Sequence, residues 1–240
     1  MIPGIFEREA LLIGEENVKK LMGSSVMVVG IGGVGGFVLE GLVRAGVGRI
    51  IAVDSDTVSI TNINRQLIAD TDSVGKSKTQ AARERMTKIN PELEFIGEDI
   101  FVTPENADGL VKRYMPDYIV DAIDTVSAKL ALIVSAQNNG VKIISSMGTG
   151  NKLDPERLKL ADIYKTSVCP LARVMRRELK ARKIKKLTVL YSEEEPVRRE
   201  DGSTPVIKDN GRHAPGSISF VPSVGGLMIA SRVVRDIIGM

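Results

Sequence analysis

The feature that most constrains this chain is the run Gly30-Ile31-Gly32-Gly33-Val34-Gly35-Gly36. It follows the apolar, β-branched stretch Val26-Met27-Val28-Val29 and opens Phe37 to Ala45, which reads as a helix. A strand, a glycine turn and a helix in that order form an anion site. The helix N-terminus offers unpaired N–H donors and a partial positive charge, and glycine lets the main chain approach a phosphate without a Cβ in the way. Gly30, Gly32 and Gly35 satisfy the G-x-G-x-x-G spacing, and Asp54, 19 residues after Gly35, closes the next strand, Arg49 to Val53. That is the fingerprint of a dinucleotide site, acidic ribose partner included. It predicts a nucleotide and leaves open which one.

Strand and helix patterns go on alternating. Lys78 to Asn90 reads as a helix stopped by Pro91, Leu93 to Ile96 as a strand, Pro104 to Tyr114 as a helix and Tyr118 to Asp124 as a strand. Ser127 to Asn139 is a further helix and Val141 to Ser145 a fifth strand. The predicted fold class is therefore α/β: a Rossmann-like domain with a central, mainly parallel sheet covered on both faces. A mixed or antiparallel C-terminal part continues it, with strands at Leu187 to Tyr191 and Ser217 to Val221, a basic helix at Leu171 to Ile184 and a last helix at Val224 to Ile238. All 240 residues are expected to form one domain. Residues 1–22 make an N-terminal arm of two short helices broken at Gly14, 23–150 a nucleotide-binding half, and 151–240 a substrate-binding half with basic helix 170–186. Ser192 to Gly216, charged and punctuated by proline, reads as a mobile excursion.

The downstream residues select the ligand. Ser55 to Gln66 is too polar for a buried helix and lies where ligands bind in such sheets. It holds Asn62, Asn64, Arg65 and Gln66, and arginine's rigid fork of donors suits triphosphate oxygens. Lys78 comes 13 residues after Arg65, at the start of a helix. Asp121 and Asp124 lie on opposite faces of a regular strand, so one suffices for the site. Asp124, at the carboxyl end, suits magnesium, which one or two carboxylates hold together with substrate phosphates. Asp124 or Thr125 also suits the cap of the helix that follows. A hydride-transfer enzyme has no use for Arg65 and Lys78, and no Walker-type loop is present. The reading is ATP on a Rossmann-like loop, with Arg65 and Lys78 stabilising charge during attack at phosphorus.

Composition excludes several classes. A net charge of +3 gives no whole-molecule attraction to nucleic acid, so any basic surface is local. One cysteine allows no internal disulfide and no zinc site of paired cysteines. No signal peptide or transmembrane stretch is visible, which predicts a cytoplasmic protein.

Gly-x-Gly-Gly-Val-Gly at 30–35, Asp54-x-Asp56, Thr61-Asn62-x-Asn64-Arg65-Gln66, Gly75-Lys76-x-Lys78 and Asp121-Ala122-Ile123-Asp124 together resemble the ubiquitin-activating-like adenylyltransferases. The resemblance runs from about Phe6 to Ser145. It implies that Gly30, Gly32, Gly33, Asp54 and Asp56 hold the nucleotide, with Asp54 on the ribose. It also implies that Asn62, Asn64, Arg65, Gln66 and Lys78 contact phosphates, and that Asp124, beside Thr125, holds Mg2+. Arg8 resembles the arginine that a partner subunit lends across the family's homodimer; without that resemblance, the arm reads equally as packing.

In the second half, Phe101 to Asn106, Asp154-Pro155 and Asp162 to Thr166, followed by Pro170-Leu171, resemble the tRNA threonylcarbamoyladenosine dehydratases. That resemblance implies adenylation of the threonyl carboxylate on a modified tRNA adenosine beside the anticodon, then cyclisation with loss of AMP. Arg173, Arg176, Arg177 and Lys180 suit tRNA phosphates, although a solvated helix face would look the same. The alternative is an adenylyltransferase that activates the C-terminus of a ubiquitin-like sulfur-carrier protein. Against it stand the missing cysteine pairs. Cys169 reads as packed or as an acyl or sulfur acceptor, which leaves room for a sulfur-transfer partner protein; His213, the only histidine, receives no role.

Overall fold

The computed structural model describes residues 2–197 and 215–240. Two short helices, α1 (Glu7–Ile13) and α2 (Glu15–Met22), meet at Gly14, whose φ of 83° turns the chain between them. Strand β1 (Ser25–Val29), helix α3 (Gly35–Arg44) and strand β2 (Arg49–Val53) follow. Next come α4 (Lys78–Ile89), β3 (Glu94–Glu98), α5 (Ala107–Tyr114), β4 (Tyr118–Asp121), α6 (Val126–Asn138) and β5 (Lys142–Ser146). The chain then adds β6 (Leu158–Asp162), α7 (Pro170–Ala181), β7 (Thr188–Ser192) and α8 (Phe220–Ile238).

Seven strands form one sheet in the order β3-β2-β1-β4-β5-β7-β6. Every neighbouring pair is parallel except β6 with β7. This is the expected parallel half with a mixed edge. Along each inner strand, successive side chains enter opposite cores, as the two-residue period requires. Val26, Val28, Ile50 and Ala52 face α3, α4 and α8, while Met27, Val29, Ile51 and Val53 face α5 and α6. A third cluster packs α7 against α6, β5 and β7 and contains Cys169. The register sets Val29, Val53, Asp121 and Ser145 in one row across the sheet. The loops leaving that row at the carboxyl ends carry the candidate site.

Several expected boundaries move, each for a local reason. No strand forms at Ser217 to Val221; α8 instead begins at Phe220, with Pro222 in its first turn, where the missing N–H has no helical acceptor anyway. Helix α5 begins at Ala107 rather than Pro104, because Asn106 Oδ1 accepts the Thr103 N–H at 2.8 Å and its amide donates to the Phe101 carbonyl at 2.9 Å, which holds a turn there. Strand β4 ends at Asp121, not Asp124: the Asp121 carboxylate accepts the Ile123 N–H at 3.3 Å and bends the chain out of the ladder. The edge strand β6 was not foreseen. Of the predicted excursion, residues 198–214, with His213, lie outside the described residues.

Helices α3 and α8 approach closely enough to need small residues. A Cβ on Gly226 would stand 2.5 Å from the Val34 carbonyl oxygen and 2.7 Å from Phe37 Cβ. Gly226→Ala is expected to cost about 1–3 kcal/mol in chemical denaturation and to displace the N-terminus of α3. Wild-type stability in that variant would show that the helices slide apart freely.

Candidate functional site

The glycine turn is built against the β4 loop. Gly30 has φ +91°, and a Cβ there would lie 2.8 Å from the Ala122 carbonyl oxygen. Gly35 passes so near the Gly30 carbonyl that a Cβ would fall 1.8 Å from its oxygen. Gly32 differs: nothing lies within 4 Å of its Cβ position, so its backbone faces open space at the start of α3. Gly33 packs instead, its Cβ position 3.1 Å from Pro222 of α8. The predicted glycines therefore divide into two that shape the turn, one that borders open space and one that seats a helix.

Asp54 is fixed beside this turn. Its Oδ2 accepts the Ile31 N–H at 2.6 Å and its Oδ1 accepts the Asp56 N–H at 2.9 Å. Lys78 begins α4, with Ser77 as its cap, and its side chain is only 6% exposed. The ammonium lies 2.6 Å from Asp56 Oδ2 and 3.5 Å from Asp54 Oδ1. Backbone bonds from Val58 to Lys76 and from Lys78 to Asp56 clamp the two loops together. Asp54, Asp56 and Lys78, spread over 25 residues of sequence, thus converge at the mouth of the glycine turn.

The segment Ile60–Asn62 is one 3₁₀ turn with a capping box, in which Asn62 Oδ1 accepts the Ser59 N–H at 3.1 Å. Asn64 donates to the Ser217 carbonyl at 3.0 Å and so ties this loop to the approach to α8. Arg65 Nη1 donates to the Thr61 carbonyl at 2.8 Å and to Asn64 Oδ1 at 2.9 Å. Half-burial lowers the Arg65 pKa, yet guanidinium remains charged at any physiological pH. Gln66 is buried, and its Oε1 has no hydrogen-bond partner among the described residues. A buried orphan acceptor costs stability unless a ligand or water satisfies it.

Asp124 is exposed one residue before the cap of α6 and accepts from the Thr125 hydroxyl at 3.5 Å. Thr125 is the cap itself, with no side-chain capping bond. The turn after β5 leaves the same end of the sheet and is stitched to the segment before α8: Asn151 N–H donates to the Gly216 carbonyl at 2.8 Å, and Gly216 N–H to Asn151 Oδ1 at 2.7 Å.

The other predicted residues lie apart from this cluster. Arg8 is exposed on α1 and has no partner among the described residues. On α7, Arg173 and Lys180 are exposed and unpaired among the described residues. Arg177 shares Glu178 with Arg182, at 3.1 and 2.9 Å. Arg176 stands apart from that face. It is half-buried and donates to the Thr166 carbonyl at 2.8 Å and to the Thr166 hydroxyl, so it braces the turn before α7. A groove of about 700 Å³ runs beside α7, floored by Leu130 and Val134, with Val126 and Val174 on its walls and Arg177 and Arg182 at its edge. Cys169 is a buried cap of α7 and belongs to the hydrophobic cluster, which favours the packed reading.

One pair at the site escaped sequence reasoning. Lys129 and Asp121 are both fully buried, with Nζ 3.0 Å from the carboxylate. The signal was a lysine inside the apolar helical run Ala128 to Ile133, where a solvated side chain has no place.

This geometry can hold a nucleoside triphosphate: an open glycine turn, an oriented carboxylate for a ribose, and two cations for phosphates. Comparison with known proteins agrees. The ThiF family model matches residues 6–240. The chain is 42% identical to a Bacillus subtilis tRNA threonylcarbamoyladenosine dehydratase, across 97% of this chain and 94% of that one. The crystal structure of the Escherichia coli tRNA N6-threonylcarbamoyladenosine dehydratase in complex with ATP superposes with a TM-score of 0.86 at 32% identity, covering 98% of this chain and 93% of that one. The corresponding AMP complex gives 0.88 at 30% identity, covering 100% and 97%.

Proposed function

This chain belongs to the ThiF family, and from that premise we propose that it is an ATP-dependent tRNA threonylcarbamoyladenosine dehydratase. The threonyl carboxylate of the modified adenosine attacks the α-phosphorus of ATP, and pyrophosphate leaves. A nucleophile already on the threonylcarbamoyl group then closes on the activated carbonyl, and AMP departs. No protein nucleophile is needed, in keeping with a buried Cys169.

One observation carries the nucleotide part: the Lys78 ammonium, buried between Asp54 and Asp56 where the glycine turn opens. In this reading Gly32 and Asp54 receive the adenosine, with Asp54 on the ribose, and Asn62, Arg65 and Lys78 receive phosphates. Gln66 offers its orphaned carbonyl to the same ligand. Among the described residues no group of three or more histidine, cysteine or acidic side chains could cage a metal. Asp124 alone, completed by phosphate oxygens, suits Mg2+, which would neutralise charge on the triphosphate.

The tRNA would lie along α7, with phosphates on Arg173, Arg177 and Lys180 and a base over the apolar floor of the groove. Arg173→Ala combined with Lys180→Ala is expected to lower the slope of log affinity against log salt by about one to two. Filter binding at several salt concentrations reads this directly. An unchanged slope would remove α7 from the tRNA surface. A homodimer fits the N-terminal arm, where Leu11 and Leu12 are 89% and 83% exposed with Arg8 beside them. A second copy would cover those leucines and receive Arg8 at its own phosphates. The described residues hold no helix long and apolar enough to cross a membrane, and the reading puts the enzyme in the cytoplasm with its tRNA.

ATP–pyrophosphate exchange tests the reading with three additions: threonylcarbamoyl-modified tRNA, a carrier protein ending in two glycines, and buffer alone. Exchange stimulated by the modified tRNA is expected. Exchange stimulated only by the carrier would move the chain to the sulfur-carrier activators.

A further inference from the structure

The buried pair behind the site has geometry beyond what packing needs. Lys129 lies on the first turns of α6, and its Nζ is surrounded by acceptors: Asp121 Oδ1 at 3.1 Å, the Ile123 carbonyl at 2.9 Å and the Ser146 carbonyl at 2.9 Å. Three donors thus find their partners, which leaves no proton of the ammonium unsatisfied. Asp121 is equally engaged, accepting the Ser145 hydroxyl at 2.6 Å and the Ile123 N–H at 3.3 Å.

These partners define what the ammonium controls. The Ile123 carbonyl immediately precedes Asp124. The Ser146 carbonyl begins the turn that leaves the neighbouring strand β5 at the same end of the sheet. The Ala122 carbonyl, one residue earlier, abuts Gly30 of the glycine turn, and the Ala122 N–H donates to the Val29 carbonyl at 2.8 Å. Two loops at the candidate site are therefore held through one side chain that never reaches solvent, and the first of them abuts the glycine turn through its backbone. A buried ion pair gains little over a well-packed apolar pair of the same volume, so its distinctive contribution is direction.

We propose that Lys129 is a positioning residue for adenylation: its buried ammonium fixes the backbone bearing Asp124 against the Ser146–Asn151 turn, so that the substrate carboxylate meets the α-phosphorus aligned. This rests on the adenylating function proposed above. Lys129 touches neither ATP nor tRNA in this account; it acts through the two loops it joins.

Lys129→Met alone would strand the Asp121 charge in the core, so the primary test pairs it with Asp121→Asn, which removes both charges and keeps an acceptor for Ser145. The variant is expected to unfold cooperatively and bind ATP within about threefold of wild type, while kcat for tRNA-stimulated pyrophosphate exchange falls about 30- to 100-fold at unchanged KM for ATP, the penalty of a misaligned site. Ser145→Ala, which removes one uncharged bond to Asp121, is expected to lower kcat about three- to tenfold, again at unchanged KM. Wild-type kcat in either folded variant, or a loss carried by KM instead, would overturn the proposal. Ser145→Ala keeps the ion pair and loosens only the carboxylate that holds it; if the double variant does not fold, Lys129→Arg, which keeps a cation beside Asp121 but cannot place the same donors on the Ile123 and Ser146 carbonyls, decides the matter by the same kcat loss at unchanged KM. Absence of exchange in the wild-type enzyme would instead remove the adenylating function itself.

Discussion

Arg65→Ala is expected to lower tRNA-stimulated ATP–pyrophosphate exchange by about 10²- to 10³-fold, the usual cost of removing one preorganised charge stabiliser. Stability should scarcely change. Among the described residues, the guanidinium makes only two hydrogen bonds, to Thr61 and Asn64, both in its own loop. Their loss costs about 1 kcal/mol or less at a half-exposed position, and removing the partly desolvated cation offsets some of it. Activity and stability should therefore separate, with chemical denaturation near wild type and exchange nearly abolished. Lys78→Ala would be a less selective probe, because it also leaves the nearly buried Asp54 carboxylate without its cation. Near-normal turnover in Arg65→Ala would show that the phosphates lie elsewhere.

The glycine turn yields the other large effect. Gly35→Ala would drive a Cβ to 1.8 Å from the Gly30 carbonyl oxygen, with Ala122 Cβ at 3.5 Å. The obstacle is backbone, which cannot rotate aside. A loss of about 3 kcal/mol or more in folding stability is expected, together with loss of ATP binding. Gly32→Ala supplies the contrast, since nothing lies within 4 Å of that Cβ. It should fold within about 0.5 kcal/mol of wild type. Its ATP affinity should nevertheless fall by about tenfold, because the added methyl would fill the open space proposed to receive the adenosine. Denaturation and calorimetric titration of the two variants check both statements. Equal behaviour would contradict the division of labour between turn and cradle.

The parallel half of the sheet was legible in the sequence because each strand is a short apolar run followed at once by turn chemistry. Val26 to Val29 before the glycines and Ile50 to Val53 before Asp54 are the clearest cases. The candidate site residues stood out for a related reason: loops at the carboxyl ends hold polar side chains at fixed offsets from those runs. What local pattern could not show was contact over distance. Nothing near Lys78 announces that it closes on Asp56, because the clamp depends on the bonds between the loops around Val58 and Lys76. The edge strand β6 escaped because Leu158 to Asp162 pairs with a strand 30 residues later and carries only a weak alternation. Ser217 to Val221 misled in the opposite way, since its apolar residues alternate although Pro222 suits the first turn of a helix. Arg176 reads as one more cation of a basic helix, and only the fold turns it towards Thr166. Lys129 was overlooked because a lysine is counted as surface unless its helical neighbours are weighed together.

The proposed activity is one reaction, and its product measures it most directly. The purified enzyme would be incubated with ATP, Mg2+ and tRNA carrying threonylcarbamoyladenosine, and the nucleosides analysed by mass spectrometry alongside AMP. The expected result is a modified nucleoside lighter by one water, formed with one AMP per adenosine cyclised and absent when ATP is omitted. An unchanged nucleoside in the presence of ATP, or dehydration that proceeds without consuming it, would contradict the account.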